Sequence, residues 1–105
     1  GYDGKCQHIH GHNYKLEVTL SGKVKDSGFV YDFAELKKMV KKHIIDKLDH
    51  KDINKIIENP TAENMLLWIE KAIKTADIDL SNLLCQLKLW ETPTSYAELV
   101  VNNNE

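Results

Sequence analysis

A chain of 105 residues with 42% hydrophobic content is long enough to bury one core without disulfides or a structural metal. Its 14 Lys and Arg against 16 Asp and Glu leave a formal charge of −2, and this mixed, unclustered pattern argues against nucleic acid or an anionic membrane as its main partner. No apolar run approaches the roughly 18–20 residues that span a bilayer, and no secretory signal is visible.

Gly1-Tyr2-Asp3-Gly4-Lys5 reads as a loop, and the chain starts in it without a methionine, so a preceding segment is expected. From Asn13 to Leu20 the residues alternate strictly. Tyr14, Leu16, Val18 and Leu20 take one face, and Lys15, Glu17 and Thr19 the other. A period of two marks a half-buried strand, predicted over 12–24 with Ser21-Gly22 as a bend or bulge near its end. Asp26-Ser27-Gly28 is a turn, and Phe29-Val30-Tyr31 is expected to pair back as a short strand. Asp32 suits a helix N-cap, with Glu35 as capping-box partner. Phe33, Leu36, Val40 and Ile44 then recur at helical spacing, predicting an amphipathic helix over 33–46.

Leu48 to Ile57 is irregular and contains Asp49-His50. Asn59-Pro60-Thr61 opens a second helix over 62–76, with either Asn59 or Thr61 as its cap. Met65, Ile69, Ala72, Ile73 and Ala76 supply its buried stripe. Alternation returns over 83–91, with Cys85, Leu87, Leu89 and Glu91 on one face and Gln86, Lys88 and Trp90 on the other. Thr92-Pro93-Thr94 turns the chain, Tyr96 to Val101 forms a final strand, and the Asn102-Asn103-Asn104 tail frays. The order strand, helix, helix, strand, strand predicts one α+β domain over 1–105, with two helices on one face of an antiparallel sheet.

The chemistry concentrates at Cys6 and His10-Gly11-His12. If the first strand extends back through the motif, His10 and His12 share its apolar face with Cα atoms roughly 6.5–7 Å apart, a spacing at which two imidazoles grip one metal ion. His8 has the same parity, but a regular strand puts it roughly 13 Å from His12, too far to join two Zn–N bonds of about 2.0–2.1 Å. A catalytic zinc usually takes three protein ligands, so the third must come from another element. Cys6 reads as a reactive thiol and Cys85 as a core residue rather than its disulfide partner, which fits a reducing, cytoplasmic setting. His43 lies among lysines as a solvated histidine. In Asp49-His50 a carboxylate stands beside an imidazole whose tautomer it can hold, although such a pair also serves as a plain cap or turn. Glu91 ends an apolar face, where a carboxylate is costly unless paired. It either bonds backbone amides at the turn or accepts from a ligand with adjacent N–H donors. Trp68 and Trp90 are expected in packing or interfaces.

Together, Cys6-x-x-x-His10-Gly11-His12-Asn13-Tyr14, Val30-x-Asp32-Phe33, Leu48-Asp49-His50-x-x-x-Asn54, Pro60-Thr61-x-Glu63-Asn64 and Glu91-Thr92 resemble the 6-pyruvoyl-tetrahydropterin synthase superfamily, in family order and over nearly the whole chain. The resemblance implies a tunnelling fold: antiparallel strand pairs with two helices inserted, trimeric β-barrels commonly stacked as hexamers, and active sites at subunit interfaces. It also implies a first strand that appears to be missing from this chain, carrying a third zinc histidine upstream of Gly1. The three residues between Cys6 and His-Gly-His look like the 6-carboxy-tetrahydropterin synthases of queuosine biosynthesis. Animal pyruvoyl enzymes carry a longer insertion there, and a folate-pathway group has glutamate near the cysteine position.

By this resemblance the substrate is 7,8-dihydroneopterin triphosphate, and Zn2+ sits on His10, His12 and the upstream histidine. Cys6, Asp49 and His50 are catalytic, and Glu91 and Thr61 bind the pterin. The product is 6-carboxy-tetrahydropterin, with a pyruvoyl-forming or side-chain-cleaving sister activity and a non-catalytic tunnelling-fold protein as the alternatives.

Overall fold

The computed structural model describes residues 14–23, 28, 31–48 and 55–101, together with the backbone of 2–9, 53 and 54. Four strands form a single antiparallel sheet in the order β1-β2-β3-β4: β1 (Tyr2–Ile9), β2 (Tyr14–Ser21), β3 (Leu84–Thr92) and β4 (Ser95–Val100). The segment expected as an N-terminal loop is therefore strand. Tyr2 lies opposite Ser21 and Ile9 opposite Tyr14 in continuous register, so residues 2–9 occupy the side of β2 where a strand was expected to be missing. Edge pairing explains the difference. β2 presents a full row of backbone donors and acceptors, and these are costly to leave unmade. β2 itself is shorter than predicted, because Gly22 and Lys23 leave the ladder.

All helices lie between β2 and β3 in sequence. α1 (Phe33–Val40) runs without a break into a π-helical segment (Lys41–Ile45) and then α2 (Asp46–Leu48). As expected, Asp32 caps α1, its Oδ1 accepting from the Ala34 N–H at 2.8 Å. Glu35 turns instead toward Lys38, 3.8 Å away. Tyr31, expected in a short strand, is a bend. Its hydroxyl donates to Asp77 at 2.8 Å, and burial together with that carboxylate pushes its pKa well above the usual tyrosine range. Phe29 and Val30, and the turn at Asp26-Ser27, lie outside the described residues. Gly28 has φ +90, a left-handed conformation that favours glycine.

The stretch expected as irregular contains a short helix, α3 (Ile53–Ile56). α4 (Ala62–Ala76) has the predicted bounds, and its cap is Thr61, whose Oγ1 accepts from the Asn64 N–H at 3.1 Å. Asn59 serves differently: at φ +48 its carbonyl accepts from the Thr61 N–H and the Asn64 side-chain amide, both at 2.8 Å. α5 (Ile78–Leu83) has no counterpart in the predicted elements. Six residues with a single buried position, Leu80, are too short to show helical periodicity. Asp77 fixes its start, accepting from the Asp79 and Leu80 N–H groups at 3.0 and 3.2 Å.

The core lies between one sheet face and the helices. Leu16, Val18, Leu87 and Leu89 are completely buried, as are Met65, Ile69 and Ile73 of α4 and Ile44 and Leu48 of the α1–α2 run. α4 packs across β3 and β4, and α5 touches β2. The register slips twice along β3. Thr19 opposes Gln86 while Leu20 opposes Leu84, which makes Cys85 an extra residue. This bulge takes Cys85 out of the predicted Leu87–Leu89 row: Leu84 is buried in its place, and Cys85 is a half-buried free thiol.

Candidate functional site

The second slip makes the site. Trp90 pairs with Tyr96 and Thr92 with Ser95, so two steps on β3 match one on β4 and Glu91 is the extra residue. Bulges of this kind re-aim a side chain at the end of a ladder. Alternation puts Glu91 on the apolar face, but in the structure it is exposed. Among the described residues no group donates a hydrogen bond to it. The physical reason is the one that made its expected position costly: an unpaired carboxylate under a helix layer would lose its hydration with nothing in return.

The Glu91 carboxylate nevertheless has a neighbour. Tyr14, half-buried at the start of β2, has its pKa raised by burial and then by the negative charge of Glu91. Lys15 opposes Trp90, which places Tyr14 and Glu91 side by side at one end of the sheet. Ile9 pairs with Tyr14 at that same end. The two described residues that flank His10–Asn13 in the chain therefore both stand at the Glu91 end. Alternation marks Tyr14 only as an apolar-face residue, and its further signal in the sequence is its place directly after the His-Gly-His-Asn run.

Below Glu91 the turn is braced by Thr92, whose Oγ1 accepts from the Thr94 and Ser95 N–H groups at 3.3 and 3.0 Å. On the sheet face away from the helices, Trp90 and Tyr96 stack with ring centroids 4.5 Å apart. The Lys88 ammonium lies 4.5 Å from the Tyr96 ring centre and 5.6 Å from that of Trp90. The Trp90 Nε1–H is buried and finds no acceptor among the described residues.

The remaining predicted site residues divide clearly. Thr61 is exposed and serves as the α4 cap, so its oxygen already has a structural task while its O–H donor stays available. Cys6 belongs to β1 rather than to a loop, opposite Glu17 in register. His10, His12, Asp49 and His50 lie outside the described residues. Among the described residues, no three His, Cys, Asp or Glu side chains gather as a metal-binding group. No helix among them is long and apolar enough to cross a membrane.

Known proteins share both this sequence and this fold. A family model described as 6-pyruvoyl tetrahydropterin synthase matches residues 1–101. The chain is 42% identical over 88 residues to a dihydroneopterin monophosphate aldolase of Pyrococcus furiosus, covering 81% of this chain and 72% of that one. It is 39% identical over 124 residues to the 6-carboxy-5,6,7,8-tetrahydropterin synthase of Haemophilus influenzae, covering 93% and 86%. Among solved structures, the 6-pyruvoyl tetrahydropterin synthase of Caenorhabditis elegans superposes with a TM-score of 0.75 at 24% identity, over 97% of this chain and 93% of that one. The tunnelling fold expected from the motifs is therefore the fold observed.

Proposed function

The chain belongs to the 6-pyruvoyl tetrahydropterin synthase family, and from that premise we propose that it is a zinc-dependent lyase converting 7,8-dihydroneopterin triphosphate to 6-carboxy-5,6,7,8-tetrahydropterin. The observation that carries this reading is the spacing Cys6-x-x-x-His10-Gly11-His12, within a chain 39% identical to a relative named for that product.

The donor set suits zinc, with two imidazoles two residues apart and a third histidine expected upstream of Gly1. When bound, the metal acts as a Lewis acid on the hydroxyls of the substrate side chain. Cys6 removes a proton from a side-chain carbon. That requires the thiolate, which a nearby cation or metal favours by lowering the thiol pKa from about 8.5. Asp49 and His50 relay protons. Glu91 accepts hydrogen bonds from the amino-pyrimidine edge of the pterin, and Thr61 holds the ring at the α4 end. Loss of triphosphate and cleavage of the side chain give the product and acetaldehyde.

Two features of the sheet support self-association as a trimer or hexamer. Its face away from the helices is uncovered, and β4 is an edge strand with Tyr96 49% and Val100 71% exposed. Asp49 and His50 then serve a neighbouring subunit's site. The setting is a reducing cytoplasm, with no nucleic-acid or membrane partner.

A second reading has its own support, because the 42%-identical relative is named an aldolase. On that reading the side chain is cleaved to leave a hydroxymethyl group. Product identification after incubation with 7,8-dihydroneopterin triphosphate separates the two. For the mechanism, Cys6→Ala is expected to abolish turnover while zinc content and thermal unfolding stay unchanged, and full activity in that variant would remove Cys6 as the base. Mixed Cys6→Ala and His50→Ala subunits are expected to recover part of the activity that neither has alone.

A further inference from the structure

We propose that the cleft between the π-helical segment and α4 is a binding site for a phosphate-bearing small molecule. The cleft measures about 480 Å³, within the range of small-molecule sites, and none of the residues assigned above to the pterin or the metal lines it. His43 and Lys47, one turn apart, contribute from one wall, and Lys71 and Thr75, one turn apart on α4, from the other. Ala72 and Ala76 keep the gap between the helices open, and Trp68 closes one side with its ring. No carboxylate lines the cleft.

Charge pairing on these helices leaves the cleft positive. Asp46, beside Lys47, is held by Lys41 at 2.9 Å. Glu70, beside Lys71, is held by Lys74 at 3.2 Å. Lys47 and Lys71 are thus left without a carboxylate partner among the described residues, in a chain whose overall charge is −2. Overall composition therefore does not explain the local excess of cations. Two ammonium groups, an imidazole and a hydroxyl converge as donors, a set that suits an anion with several oxygens. His43 lies inside the π-helical segment. Wide turns of this kind recur at functional sites.

The chemistry fits either a free polyphosphate or the phosphates of a nucleotide whose base stacks on Trp68. Calorimetric titration of the full chain at low salt, with inorganic tripolyphosphate and with ATP in separate runs, tests the site. Saturable binding is expected for both, and the Lys47→Ala/Lys71→Ala variant, checked by circular dichroism for an unchanged fold, is expected to bind roughly tenfold more weakly. ATP binding more tightly than tripolyphosphate, with the advantage lost in Trp68→Leu, identifies the nucleotide; equal affinity identifies free polyphosphate. Either ligand could also enter a pterin-triphosphate site, but the double variant leaves that site intact. Titration of the variant indistinguishable from wild type would therefore place the anion elsewhere and overturn the proposal, as would a wild-type chain that binds neither ligand.

Discussion

The two faces of the sheet use the same strands for opposite purposes. On the covered face Leu16, Val18, Leu87 and Leu89 are fully buried beneath α4 and its neighbours, and the interactions are non-directional packing. On the open face the register aligns Glu17, Lys88 and Glu98 across three strands, and Lys15, Trp90 and Tyr96 in the next row. Here the contacts are directional: Lys88 reaches Glu98 at 3.9 Å and lies over the Tyr96 ring. One face stabilises the fold. The other holds polar and aromatic groups at fixed positions, which recognition requires. Glu91 sits where the two meet, moved by one bulge from the covered side to solvent.

Substitutions at adjacent positions of β3 separate these roles most sharply. Leu89→Ala removes a completely buried side chain and is expected to cost about 2–5 kcal/mol in urea unfolding. A loss below about 1 kcal/mol would mean that the covered face is not the source of stability. A smaller effect is expected at the helix layer's edge, where Thr61→Ala leaves the Asn64 N–H without its acceptor and should lower stability by about 1 kcal/mol. Thr61→Ser keeps the cap and is expected to behave as wild type in unfolding. An elevated KM in Thr61→Ser then reports on pterin contact alone. The smallest change is expected at Trp90→Phe. Its Nε1–H has no acceptor among the described residues, so deleting it removes no hydrogen bond, and stability should move by no more than about 1 kcal/mol. A larger loss would show that the open face contributes to stability as well.

Legibility depends on the type of signal. The covered face is readable because strict alternation in Tyr14–Leu20 and helical spacing in 62–76 both report burial directly. Asp32 is readable as a cap because a short side-chain acceptor before an apolar stripe has few other uses. Residues 2–9 look like a loop in sequence, since glycines and polar residues carry no period while strand pairing supplies backbone bonds regardless of side chain. α5 escapes detection for want of length. The position of Glu91 is misjudged by alternation because periodicity assumes an unbroken ladder, and one extra residue reverses the facing of every later residue in the strand.

For the candidate site, the sequence alone identified the chemistry-bearing residues and their order: Cys6, His10, His12, Asp49, His50, Thr61 and Glu91. Residue type and spacing are properties of the chain itself, and the family match over 1–101 agrees with that order. Only the tertiary structure decided where Glu91 points, that Tyr14 stands beside it, and that Thr61 is committed to capping α4. It alone also showed that Lys47 and Lys71 face a common cleft from two helices. Each of these depends on register or on packing between distant segments, and neither is contained in a local pattern.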